Sequence, residues 1–152
     1  MEKQRIQDMS NVRVNPLWSL DRELFIADGE PYVFGDTLYL YGSRDVFDGK
    51  VDGYVEWCSR DYHVVCTKDM KTWEDCGVSF TMDEIPAQYT EERPARLWAP
   101  DLCFNPKDGK YYLFSCLNKG RGIFVASSDS PKGPFTDTKR LKTFKRNLVQ
   151  LL

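Results

Sequence analysis

The sequence has one histidine, His63, no C-x-x-C pair and no apolar run long enough to span a bilayer. A single imidazole cannot build a multi-histidine zinc centre, and His63 lies beside Asp61 in the strand-like "YHVV", so it reads as a structural histidine. The five cysteines, Cys58, Cys66, Cys76, Cys103 and Cys116, are spaced 8, 10, 27 and 13 apart, and one is necessarily left over. That pattern fits buried, reduced thiols rather than a disulfide framework or a zinc site, so no metal ligands are assigned. There is no phosphate loop and no G-x-S-x-G. The N-terminus, "MEKQRIQDMSNVRVNP", has no apolar stretch of the signal-peptide kind, and the chain reads as soluble and cytoplasmic.

An excess of positive charge is missing as well. The formal net charge is −2, but Thr138 to Leu152 hold Lys139, Arg140, Lys142, Lys145 and Arg146 with no acid; residues 1–137, with 16 bases against 23 acids, stand at −7. Phosphate contacts need a basic face, so an acidic body excludes nucleic acid as the main partner, and a membrane is not expected as a partner either.

What is present is mostly strand signal. "PYVF", "TLYLYGS", "YHVVCT", "DLCF", "KYYLFSC" and "GIFVAS" are short, aromatic and β-branched, and Gly, Asp, Asn and Pro clusters separate them. Gly35-Asp36 and Asp108-Gly109 mark two hairpins. "TKDMKTW" has the aspartate and tryptophan of a sialidase-type box but is one residue short and lacks the glycine, so it reads as a plain hairpin. Only the tail, with Leu141, Phe144, Leu148 and Leu151 or Leu152, follows a helical period.

The chain also repeats itself. Aligning Asp28 with Asp101, 73 residues on, sets Tyr39-Leu40-Tyr41 over Tyr112-Leu113-Phe114 without a gap. "VCTKDMKTWED" then lies over "VASSDSPKGPFTD", and the copies differ by about one extra loop within "VFDGKVDGYVEWCSRDY". Two units of four short antiparallel strands are the signature of propeller blades. The expected fold is therefore all-β: about two four-stranded blades of a β-propeller, with a short helical C-terminal tail. A ring needs ~4 to 8 blades, so the chain would be a fragment or would be completed by another copy.

In a propeller the first strand of each blade lines the central channel, which would bring Asp28 and Asp101 to one funnel. Two acids there would perturb each other and could serve as an acid/base pair; as strand-capping aspartates they would be merely structural. The repeat leaves both readings open.

The blocks "NPL" (15–17), "IADGEPYVFGDTLYLYGSRD" (26–45), "DYHVVCTKDMKTWEDCG" (61–77), "WAPDLCFNPKDGKYYLF" (98–114) and "SDSPKGPFTD" (128–137) resemble, in order and spacing, the first part of glycoside hydrolase family 43. The resemblance implies a five-bladed propeller, with blade 1 at about 15–80, blade 2 at about 95–137, and residues 138–152 as a divergent basic tail. It also implies an inverting hydrolase for arabinose- or xylose-containing glycans such as arabinoxylan, arabinan or xylo-oligosaccharides. By position Asp28 matches the general base and Asp101 the aspartate that tunes the acid's pKa. Asp45, which closes the "GSRD" block, and Trp98, three residues before Asp101, are the expected sugar-binding residues. Gly29 stands where many members have proline, and Arg44 where many have histidine. The general-acid glutamate belongs to a later blade, and Glu84, Glu91 and Glu92 do not match its motif, so the implied catalytic set is incomplete. A truncated enzyme, weakly active or inactive alone, is the leading expectation, with a shifted or premature reading-frame end as the account of the tail. The alternative is a non-catalytic glycan-binding or oligomerising module, and for the tail a basic amphipathic helix facing a membrane or partner. No cofactor is implied, and a channel ion is not readable from these residues.

Overall fold

In the computed structural model the described residues are 26–51, 54–90, 95–118 and 122–141, and within 46–58 the description extends to the backbone only. The side chains of Trp57 and Cys58, and Glu91, Glu92 and the helical period of Phe144, Leu148, Leu151 and Leu152, lie outside it.

Two four-stranded antiparallel sheets follow one another along the chain, each a meander of neighbouring strands. The first comprises β1 (Ile26–Phe34), β2 (Thr37–Val51), β3 (Tyr54–Thr67) and β4 (Glu74–Thr81). The second comprises β5 (Asp101–Asn105), β6 (Lys110–Cys116), β7 (Ile123–Ser128) and β8 (Thr136–Arg140). Between the sheets, Met82–Glu84 and Ala87–Tyr89 form single helical turns. The hairpins expected from Gly35-Asp36 and Asp108-Gly109 are present, with Phe34 paired to Thr37 and Asn105 to Lys110. Gly35 and Gly109 take φ of +62° and +72°, a region open to glycine because it has no Cβ to collide with the following carbonyl.

Period-two alternation decides which faces are buried. Leu113 and Ser115 of β6 point the same way as Phe124, Ala126 and Ser128 of β7, and all are buried. In the first sheet Tyr39 and Tyr41 of β2 meet Tyr62 and Val64 of β3. These groups and Phe80, Leu97, Leu102, Leu117 and Phe135 form one core spanning both sheets. Backbone bonds cross the junction as well: Leu97 N–H donates to the Ser59 carbonyl and Phe135 N–H to the Ser79 carbonyl, each at 2.9 Å.

Three expectations need correction. The extra segment of the first copy is not a loop, because β2 and β3 extend through it as a paired ladder, Phe47 opposite Trp57 and Val51 opposite Tyr54, with register shifts after Ser43 and after Phe47. Thr138, Lys139 and Arg140 belong to β8, where Arg140 pairs with Phe124, and are not the start of a helical tail. Of the described cysteines only Cys66 is buried; Cys76 and Cys116 are part-exposed and Cys103 is exposed. β4 and β8, "EDCGVSFT" and "TDTKR", carried no strand signal because β8 buries no residue fully and β4 buries only Ser79 and Phe80.

Candidate active site

Asp28 owes its position to a break in the β1–β2 ladder. Ala27 pairs with Ser43 and Glu30 with Tyr41, so Asp28 and Gly29 together stand out of register as a bulge. Asp28 takes φ +53°, a conformation that aspartate tolerates better than most residues, and its side chain is exposed. The opposite strand makes room. A Cβ on Gly42 would lie 2.3 Å from Ile26 Cγ2 and 2.5 Å from the Ala27 carbonyl oxygen, so only glycine lets β1 pass this closely.

Asp45 stands near this bulge. Burial, and then the charge of Asp28, raises its carboxyl above the ordinary aspartate value, and a Ser43 hydrogen bond opposes them. Asp28 and Asp45 therefore share one local field. Tyr62 faces the same region: burial chiefly, then Cys116 and Asp28, pushes its phenol up.

Asp101, exposed, is the first residue of β5. Its Oδ1 accepts the Tyr32 hydroxyl and, at 2.8 Å, the N–H of Leu102. Burial and this bond to Asp101 raise the Tyr32 phenol. Because Tyr32 is on β1, four residues past Asp28, one hydroxyl ties the second aspartate to the strand that carries the first. Trp98 is 54% exposed, as a sugar-stacking ring must be. Its N–H donates to the Cys116 carbonyl at 3.0 Å, and its carbonyl accepts the Tyr62 hydroxyl.

The ladder refines the repeat. Phe114 pairs with Asp101, but its sequence counterpart Tyr41 pairs with Glu30 and not with Asp28. The first hairpin loop, Gly35-Asp36, is two residues shorter than Pro106 to Gly109, which moves Tyr41 opposite Glu30, and the bulge then sets Asp28 and Gly29 against the single Gly42. Asp28 and Asp101 are thus matched in sequence but not in register: Asp101 lies in its ladder, and Asp28 is thrown out of its own.

Residues that sequence reasoning did not assign complete the surroundings. Arg44 forks onto Asp61, Nε to Oδ1 at 2.8 Å and Nη2 to Oδ2 at 2.5 Å, bracing β2 against β3 beside Asp45. A basic residue inside a strand was the available signal, but its partner is fixed only by register. His63 is buried, as expected for a structural histidine, yet its partner is Asp75 on β4, 2.5 Å from Nε2, and not the adjacent Asp61. Its Nδ1 is buried without a hydrogen-bond partner among the described residues. For Asp75, burial raises the carboxyl, but the His63 and Gly77 hydrogen bonds outweigh it and leave it below the ordinary value.

The model of the Glycosyl hydrolases family 43 matches residues 22–149, which runs into the tail that the sequence blocks left unmatched. A xylosidase/arabinosidase of Thermoclostridium stercorarium is 35% identical over 131 residues, covering 84% of this chain and 25% of that protein. A β-xylosidase of Xylanibacter ruminicola is 37% identical over 122 residues, covering 73% and 35%. Among solved structures, a family 43 β-xylosidase/α-arabinofuranosidase from a compost microbial metagenome, in complex with xylotriose, superposes with a TM-score of 0.61 at 34% identity. That match covers 74% of this chain and 34% of that one. The chain thus spans about a quarter to a third of the relatives it matches.

Proposed function

From a chain that belongs to glycosyl hydrolases family 43, we propose that it supplies the base-bearing part of an inverting glycoside hydrolase site for xylose- or arabinose-containing glycans. The observation that carries this reading is the two-residue bulge that throws Asp28 out of its ladder beside Asp45, on the strand whose Tyr32 holds Asp101. Asp28 is exposed, as a base that takes a proton from water must be. Asp101, anchored by Tyr32 and its neighbour's N–H, takes the role of tuning the acid through its charge in this reading. Inversion sets base and acid about 6.5–9.5 Å apart so that water fits under the sugar. Trp98 offers an apolar ring for a sugar face, and Asp45, in the field of Asp28, a hydrogen-bonding group.

On this reading the general-acid glutamate is not supplied by these 152 residues. The acid is needed most where the leaving group is poor. A dinitrophenyl xyloside, whose leaving group needs no proton, is therefore expected to turn over slowly, whereas xylobiose is not. Dependence of the first reaction on Asp28, abolished in Asp28→Ala, supports the reading. Turnover unchanged in Asp28→Ala, or rapid cleavage of xylobiose by the chain alone, overturns it.

The exposure of Trp98 favours a second reading, a glycan-binding module that completes a propeller by self-association. It predicts an oligomer by sizing and xylotriose binding that survives Asp28→Asn but weakens in Trp98→Ala.

A further inference from the structure

Away from the Asp28 region, the β3–β4 hairpin brings two thiols and a carboxylate together. Cys66, the last but one residue of β3, pairs with Glu74, and Cys76 follows two residues after Glu74 on β4. Cys66 Sγ lies 3.1 Å from Cys76 Sγ and 3.8 Å from Glu74 Oε2, and Cys76 Sγ lies 4.0 Å from Glu74 Oε1. Cys66 is 4% exposed, and Cys66, Glu74 and Lys132 line a cavity of about 470 Å³ with Thr37, Tyr39 and Lys68.

We propose that Cys66, Cys76 and Glu74 form a binding site for a thiophilic divalent cation of the zinc type, with the cavity supplying a water as fourth ligand. Zinc–sulfur bonds of about 2.3 Å and zinc–oxygen bonds of about 2.0 Å place tetrahedral ligand atoms roughly 3.5–3.8 Å apart. The Cys66–Cys76 and Cys66–Oε2 distances each need a change of well under 1 Å to reach that shape, and one ligand atom from each of the three residues lies within 4.8 Å of the others. A disulfide would need the sulfurs to close by about 1 Å, to about 2.05 Å, and would leave the carboxylate without a role. The donor set is also selective: two thiolates favour zinc over calcium or magnesium, which prefer oxygen.

Charge and orientation support the same assignment. Lys132 Nζ holds Glu74 Oε1 at 2.6 Å, which leaves Oε2, the oxygen nearer Cys66, free to coordinate. Two thiolates and one carboxylate around a dication carry a net −1, and the Lys132 ammonium neutralises it. This outer contact matters to affinity as much as to charge. A cysteine coordinates zinc as the thiolate, so binding expels one proton from each S–H to solvent. Lys132 comes from the turn between β7 and β8, so an occupied site would also tie the first sheet to the second.

Titration of the reduced chain with Co2+ tests the assignment. One equivalent should bring up thiolate-to-cobalt charge-transfer absorption in the near ultraviolet, and Zn2+ should bleach it while protecting two thiols from a disulfide reagent. Zinc binding should release two protons per chain in weakly buffered solution. Cys66→Ser and Cys76→Ser should each abolish the band with far-ultraviolet dichroism unchanged, and Lys132→Met should weaken zinc affinity by about 10–100-fold. Because Cys66 is buried, Cys76→Ser decides should Cys66→Ser fail to fold. A folded, reduced chain without the band overturns the proposal. So does a band that survives Cys76→Ser or disappears in Cys103→Ser or Cys116→Ser.

Discussion

At the scale of single residues, Asp45 reports most directly on the candidate site. Its carboxyl is raised by burial and by the charge of Asp28. A carboxyl whose folded-state pKa lies above its unfolded value favours the fold while protonated. Its contribution is therefore full below about pH 3.9 and is lost as pH rises through the raised value. Asp28→Asn removes one of the two causes, so the Asp45 titration followed by carboxyl NMR should move down toward the ordinary aspartate range. An Asp45 midpoint that stays put would show that the two carboxylates do not share a field. Tyr32→Phe tests the second aspartate. Losing the hydroxyl on Asp101 should cost about 0.5–1.5 kcal/mol in urea denaturation, and any Asp28-dependent turnover should fall with it.

At the scale of elements, the β1 bulge and Gly42 act as one device. With the Ala27 carbonyl 2.5 Å from where a Cβ would sit, Gly42→Ala must push β1 away or flatten the bulge. We expect destabilisation of about 1–3 kcal/mol and loss of any activity that needs Asp28. Full stability with intact turnover would mean that the strands separate without disturbing Asp28. Much of this element level was legible beforehand. The aromatic and β-branched runs named six of the eight strands, and Gly35-Asp36 and Asp108-Gly109 named two turns. β4 and β8 were not legible because exposed strands such as "TDTKR" need no apolar alternation; their pairing partners hold them. The bulge was hidden for a different reason. The bulge and the shorter first turn change which residues pair without changing the thirteen-residue spacing from Asp28 to Tyr41 or from Asp101 to Phe114, so the ungapped alignment conceals both.

At the scale of the whole molecule, the two sheets are built to unfold together. Phe135, immediately before β8, is fully buried and donates its N–H to the carbonyl of Ser79 in the first sheet. The Tyr41 hydroxyl, from the first sheet, donates to the Pro131 carbonyl at 2.5 Å. Phe34 meets Tyr111 edge-on with ring centroids 4.9 Å apart. Phe135→Ala should cost about 3–5 kcal/mol, and near- and far-ultraviolet dichroism should lose signal at one common, lowered midpoint. Two separate transitions, with only the second sheet weakened, would show that the blades fold independently.

The sequence by itself determined the all-β class, the two-unit repeat and the positions of both aspartates. Those properties reside in local alternation, turn chemistry and spacing, which a linear pattern can carry. The tertiary structure decided that Asp28 stands outside its ladder, that Tyr32 and Tyr62 connect the candidate residues, that Asp75 and not Asp61 partners His63, and that Cys66, Cys76 and Glu74 converge. Each of these depends on strand register or on the packing of one sheet against the other, and a one-residue slip in register would send every one of those side chains to the opposite face.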